Sequence, residues 1–156
     1  MWSQECEAAS LQIKSGLANK PVLAMPDFSK GFILEVDASD CGFSGALLQM
    51  GPDGNEHPIA FFSQKLNKHQ INYSTIEKEA FGLLVSLKNF QHYLDPVVKP
   101  TEVRTDHNPL VFLNKMANSN QKLTRWSMII QEFDITIKHI KGKNNAVADA
   151  LSRASF

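Results

Sequence analysis

The segment Phe32-Ile-Leu-Glu-Val-Asp37 sets Phe32, Leu34 and Val36 on one side of an extended chain. Ile33, Glu35 and Asp37 fall on the other side, because side chains alternate along a strand. Both sets are largely apolar, so the strand is expected to be covered on both faces, as a central strand is. A chain holding such a strand must fold as a sheet with layers on either side.

Further elements follow from periodicity. Ala46-Leu47-Leu48-Gln49-Met50 and His57-Pro-Ile-Ala-Phe-Phe62 flank the turn Gly51-Pro-Asp-Gly54, which predicts an antiparallel hairpin. Residues 75–94 read as the strongest helix, with Ile76, Ala80, Leu83, Leu87 and Leu94 in one stripe. Ser74 and Glu77 supply a capping box at its start. Thr101–Thr105 is a short strand, Asn108-Pro109 opens a helix, and 121–133 is helical through Leu123, Trp126, Ile130 and Phe133. Ile135, Ile137 and His139 alternate as a strand. Lys141–Asn145 then turns, and 146–153 form a last helix. Residues 2–18 are expected to be helical, followed by an extended connector from Pro21 to Pro26. Trp126 and Phe133 are read as core, by their helical spacing, and not as stacking residues.

At 156 residues the chain has the length of one domain. Its composition, 43% hydrophobic and 21% charged, is that of a soluble globular protein and excludes a disordered or fibrous class. No apolar run is long enough for a membrane-spanning helix, so no membrane partner is expected. Cys6 and Cys41 lack metal-ligand spacing, which points to a reducing, intracellular setting. The balanced charge hides an asymmetry. Residues 1–98 hold 7 Lys and Arg against 11 Asp and Glu, whereas 99–156 hold 9 against 5. A domain that grips nucleic acid alone usually carries a basic excess, so another part of a larger protein is expected to help.

Four acids stand where elements begin or end: Asp37, Glu79, Asp106 and Asp149. Taken singly, each has an ordinary explanation, such as a strand-ending turn for Asp37 or the helix dipole for Asp149. Adjacent central strands would bring Asp37 and Asp106 together, however, and helices packed on the same sheet can supply the others. Between the two glutamates of the long helix, Glu77 has its capping role. Glu79 borders the buried stripe, about 60–70° from its centre. Two carboxylates about 4 Å apart repel by roughly 4 kcal/mol at an effective dielectric of 20, so such a group calls for cations. An oxygen-only set selects hard ions such as Mg2+ or Mn2+.

Val36-Asp-Ala-Ser-Asp40, Tyr73-Ser-Thr-Ile-Glu-Lys-Glu-Ala80, Arg104-Thr-Asp-His-Asn-Pro-Leu110 and Ile140-Lys-Gly-Lys-Asn-Asn-Ala-Val-Ala-Asp-Ala-Leu-Ser-Arg153 closely resemble the ribonuclease H domain of Ty3/gypsy-type retrotransposon reverse transcriptases. The resemblance runs from about Pro21 to Arg153, and residues 2–20 are similar to the helical tail of the preceding polymerase region. It implies two units: a tail and connector over 1–22, and the ribonuclease H domain over 23–156. It implies an α/β (α+β mixed) ribonuclease H-like fold, a five-stranded mixed sheet flanked by helices with an N-terminal helical extension. The implied activity is hydrolysis of the RNA strand of RNA–DNA hybrids during reverse transcription, using two Mg2+ ions for which Mn2+ can substitute.

By the same resemblance Asp37, Glu79, Asp106 and Asp149 are the catalytic metal ligands. Ser39, Asn145, Lys141, Lys143 and Arg153 are substrate-side candidates, with Lys138 a further cation able to meet phosphate. The implied partners are the hybrid and the polymerase domain of a parent polyprotein. The implied setting is intracellular, in a cytoplasmic retroelement particle, with nuclear presence allowed. Many ribonucleases H carry a histidine in a longer loop before the last helix; Lys141–Asn145 is short and has none. His139 is read as a packed strand residue. Two alternatives stand beside this reading: a catalytically silent or partner-dependent module on the same fold, and a transposase/integrase-type core. In the latter the glutamate usually comes last of three acids, not second of four.

Overall fold

The computed structural model describes residues 7, 8, 11, 23–97, 99–106 and 120–140. Five strands form one sheet: β1 (Ile33–Ala38), β2 (Gly42–Met50), β3 (Glu56–Lys65), β4 (Thr101–Thr105) and β5 (Ile135–His139). Their order across the sheet is β3-β2-β1-β4-β5. The first three strands are antiparallel neighbours, whereas β4 runs parallel to both β1 and β5. The doubly apolar β1 lies at the centre, as its sequence requires.

Helix α1 spans Thr75–Leu94 and begins with the predicted box: Ser74 accepts from the Glu77 amide, and the Glu77 carboxylate accepts from the Ser74 amide. Its stripe residues Ala80, Leu83 and Leu87, with Phe90 beside them, share a core with Phe32, Leu34 and Val36 of β1, Leu47 of β2 and Val103 of β4. Helix α2, Gln121–Ile130, packs beside α1 through Leu123, Trp126 and Ile130. Trp126 is core, as its spacing predicts, with its ring 5.1 Å from that of Phe81. The predicted 121–133 helix stops at Ile130, because the Glu132 and Phe133 amides turn back onto the carbonyls of Ile129 and Ile130. Tightened three-residue bonds of this kind close a helix end. Phe133 still packs against the core.

The hairpin is longer than its apolar runs suggested, Gly42–Met50 against Glu56–Lys65, with a register shift at Leu47/Leu48. Gly54 takes φ 76° in its turn, a conformation glycine adopts without a side-chain penalty. Glu7, Ala8 and Leu11 are helical, in line with the expected N-terminal helix. The rest of that helix, the Asn108-Pro109 helix start, the 141–145 turn and the 146–153 helix lie outside the described residues. Among the described residues, no helix is long and apolar enough to cross a membrane.

Candidate active site

The parallel pairing of β1 with β4 fixes where two acids stand. Ile33 is opposite Glu102, Leu34 opposite Val103 and Glu35 opposite Arg104. Continued by two positions, that register sets Asp37 opposite Asp106, at the carboxyl ends of adjacent strands. Alternation puts Asp37 on the face of Ile33 and Glu35, opposite the face where Leu34 and Val36 pack under α1. Asp37 is buried, 8% exposed, while Asp106 is exposed just beyond β4.

The third acid arrives from the helix. Glu79 lies five residues into α1 and is 6% exposed. Burial pushes its carboxyl up to about 8, and the charges of Asp106 and then Asp37 add to the rise. Burial penalises the ionised form, and like charges penalise it further. Glu77 differs: its carboxyl is held below its usual range, chiefly by the Ser74 amide of the cap. Three of the four predicted acids thus come from β1, α1 and β4 into one electrostatic neighbourhood. Asp149, with Asn145, Lys141, Lys143 and Arg153, lies outside the described residues.

Ser39 follows Asp37 at the turn into β2. Its hydroxyl accepts from the amides of Cys41 and Gly42 and lies 3.2 Å from the Gly42 carbonyl. Within the turn, Asp40 meets the Lys78 ammonium of α1 at 2.9 Å. On the Asp37 face, Arg104 reaches from β4 across two strands to Glu56 of β3, with two bonds of 2.9 and 2.7 Å, and also meets Glu102 and Glu35. Burial raises the Glu35 carboxyl, an effect that the Arg104 charge partly offsets. Lys138 pairs with Glu102, so its charge is already engaged within the sheet.

His139 requires a correction. It closes β5 as expected, but its side chain is exposed and not packed. Its Nε2 lies 2.9 Å from the backbone carbonyl of Asp106, and the next amide, Ile140 N, donates to Thr105 O at 2.9 Å. The end of β5 therefore holds the backbone of a candidate catalytic acid. Strand alternation alone could not show this, since at the last residue of a strand the buried phase no longer has a neighbour to cover it.

Among the described residues, no group of three or more His, Cys, Asp or Glu side chains is placed to hold a metal ion. The donor chemistry still suits a hard divalent cation: oxygen donors only, with the ionised form of Glu79 disfavoured first by burial and then by the charges of Asp106 and Asp37. A cation would relieve that repulsion directly.

Comparison with known proteins agrees with this geometry. Residues 27–133 match the RNase H-like domain found in reverse transcriptase. Two transposon polyproteins of the fission yeast Schizosaccharomyces pombe, Tf2-3 and Tf2-4, are each 38% identical over 97% of this chain. The chain spans only 12% of the length of either polyprotein. Among solved structures, a foamy viral protease-reverse transcriptase in complex with an RNA/DNA hybrid covers 91% of this chain at TM-score 0.63 and 18% identity, the chain covering 19% of it. RNase H1 from the halophilic archaeon Halobacterium salinarum covers 77% at TM-score 0.54 and 20% identity, with 92% of that enzyme covered. These structural likenesses speak for the fold: the five-stranded mixed sheet with flanking helices is ribonuclease H-like. The chain belongs to the RNase H-like domain family of reverse transcriptases. Over nearly its whole length it is homologous to the Tf2 transposon polyproteins.

Proposed function

We propose that this domain hydrolyses the RNA strand of RNA–DNA hybrids, with Asp37, Glu79, Asp106 and Asp149 as ligands for two Mg2+ ions. One observation carries the reading: burial raises the carboxyl of a helix glutamate, and two aspartates at adjacent strand ends raise it further. Bound there, a divalent pair would lower the pKa of the attacking water and stabilise the departing oxygen. The chain's own residues do the rest. Asp37 offers its carboxylate from β1 and Asp106 from the position just after β4, both anchored to the sheet, so their separation changes little as substrate arrives. Glu79 keeps its proton near neutrality until positive charge reaches it, which limits the repulsion in the metal-free protein. The His139 contact with the Asp106 carbonyl steadies the outermost acid. Selectivity for the hybrid would come from 2′-hydroxyl contacts and duplex shape. Ser39, Asn145, Lys141, Lys143 and Arg153 are the substrate-side candidates.

Family membership supports this reading over a transposase or integrase core. The domain would act inside a reverse transcriptase, attached to its polymerase region, in an intracellular retroelement particle. The test is cleavage of matched, labelled RNA–DNA, RNA–RNA and DNA–DNA duplexes under Mg2+ and Mn2+. The hybrid alone should be cut. Asp106→Asn should lower that cleavage by about a thousandfold or more, the scale of several kcal/mol of lost charge stabilisation, with the fold retained by circular dichroism. Undiminished cutting by Asp106→Asn would refute the assignment. A wild-type chain that cuts nothing alone but cuts when joined to a polymerase region would show the partner-dependent form of the same activity.

A further inference from the structure

Lys78, Gly82, Ser86 and Phe90 recur every four residues along α1 and therefore form one row on its surface. This row lies on the β1–β2 hairpin. A Cβ added at Gly82 would stand 3.2 Å from the Phe43 Cβ and 3.8 Å from the Ala38 Cβ. One added at Gly45 of β2 would stand 2.8 Å from the Ser86 Oγ and 3.2 Å from the Phe90 ring. Helix and hairpin thus approach as closely as missing side chains allow. At the end of the row nearest the acids, Lys78 meets Asp40 of the β1–β2 turn at 2.9 Å. The burial of this pair is lopsided, with the Lys78 side chain 12% exposed and that of Asp40 97%.

A lysine in the first turns of a helix opposes the dipole, typically at about 0.3–1 kcal/mol, so helix formation does not explain its place. The residues beside the pair do. Lys78 immediately precedes Glu79, and Asp40 lies three residues after Asp37, in a turn that the Ser39 hydroxyl holds rigid. The pair therefore joins the two segments that carry two candidate ligands from different elements. Resting on the hydrolase reading above, we infer that Lys78 and Asp40 form a positioning clamp that sets the spacing of Asp37 and Glu79 for divalent-cation binding. Neither residue is a catalytic one in this role.

The experiment is Mn2+ titration of the full chain by isothermal calorimetry, with thermal midpoints of the metal-free proteins beside it. Lys78→Met and Asp40→Asn should each weaken Mn2+ binding by about tenfold, the low end of the loss seen when groups behind the ligands are removed. The double variant should bind no more weakly than the worse single one, because both changes break one interaction. Lys78→Arg, which keeps the charge, should stay within about threefold of wild type. Metal-free midpoints should move little, since a pair with one fully solvated partner adds little to stability. Wild-type affinity in Lys78→Met, or additive losses in the double variant, would overturn the clamp while leaving the hydrolase reading intact. A wild-type chain that takes up no Mn2+ would overturn both. If Lys78→Met does not fold, Asp40→Asn decides alone: wild-type affinity there sinks the clamp.

Discussion

Glu79 carries a measurable signature of the site before any substrate is added. Its carboxyl, ordinarily near 4.5, sits at about 8 in the folded, metal-free chain. Between those values the folded protein holds a proton that the unfolded chain has already released. Stability is therefore greatest below about pH 4.5 with respect to this group and is lost as pH rises toward 8. The full span corresponds to about 5 kcal/mol, a large share of a typical domain stability. The metal-free wild type should thus melt lower at pH 8 than at pH 5.5, and Glu79→Gln should remove most of that slope. Adding Mg2+ at pH 8 should raise the wild-type midpoint far more than that of Glu79→Gln. Differential scanning calorimetry at the two pH values checks this; a wild-type slope equal to that of the variant would mean that neither burial nor the aspartates raise the Glu79 carboxyl.

The elements that sequence located best are those whose ends carry their own chemistry. Helix α1 begins at Thr75 because Ser74 and Glu77 close a capping box, and ends at Leu94, ahead of Pro96. Its apolar period then dictates which face meets the sheet, and hence that Glu79 borders the core. The centre of the sheet was legible from β1 for the same kind of reason, since few segments are apolar on both faces. What was not legible depends on contacts between elements distant in sequence. Nothing near His139 announces the Asp106 carbonyl, and nothing near Arg104 announces Glu56 two strands beyond β1. The seam between α1 and β2 is of this kind too. Ser86 is fully buried beneath Gly45, and among the described residues its hydroxyl has no hydrogen-bond partner. An unsatisfied buried hydroxyl costs about 1–3 kcal/mol, so Ser86→Ala should stabilise the domain by about 1 kcal/mol in urea unfolding. Gly45→Ala should cost about 1–3 kcal/mol, by forcing a Cβ against Ser86. Part of that loss should return when the two changes are combined. A neutral Gly45→Ala would show that the helix is free to lift from the hairpin.

For the molecule as a whole, charge sets how well it can hold a polyanion. Phosphate affinity comes largely from Lys and Arg displacing counterions, and here 16 Lys and Arg are matched by 16 Asp and Glu. Some of the basic residues are spent inside the domain: Arg104 on three glutamates, Lys138 on Glu102 and Lys122 on Glu77. An isolated domain of this kind should therefore chemically process a hybrid better than it binds one. Its polyprotein relatives are about eight times its length, so in a protein of that kind the grip on the duplex can be shared with other parts. Tethering raises the local concentration of substrate without touching the reacting groups. Fusion to a reverse-transcriptase polymerase region should accordingly lower KM for the hybrid by at least about tenfold and leave kcat within about threefold. The isolated chain should lose activity steeply with added salt through KM, while the fused protein loses it more slowly. Steady-state cleavage by both forms across a salt series measures each quantity. A fusion that raised kcat at constant KM would instead mean that the neighbouring region completes the catalytic site, and would move the explanation from binding to chemistry.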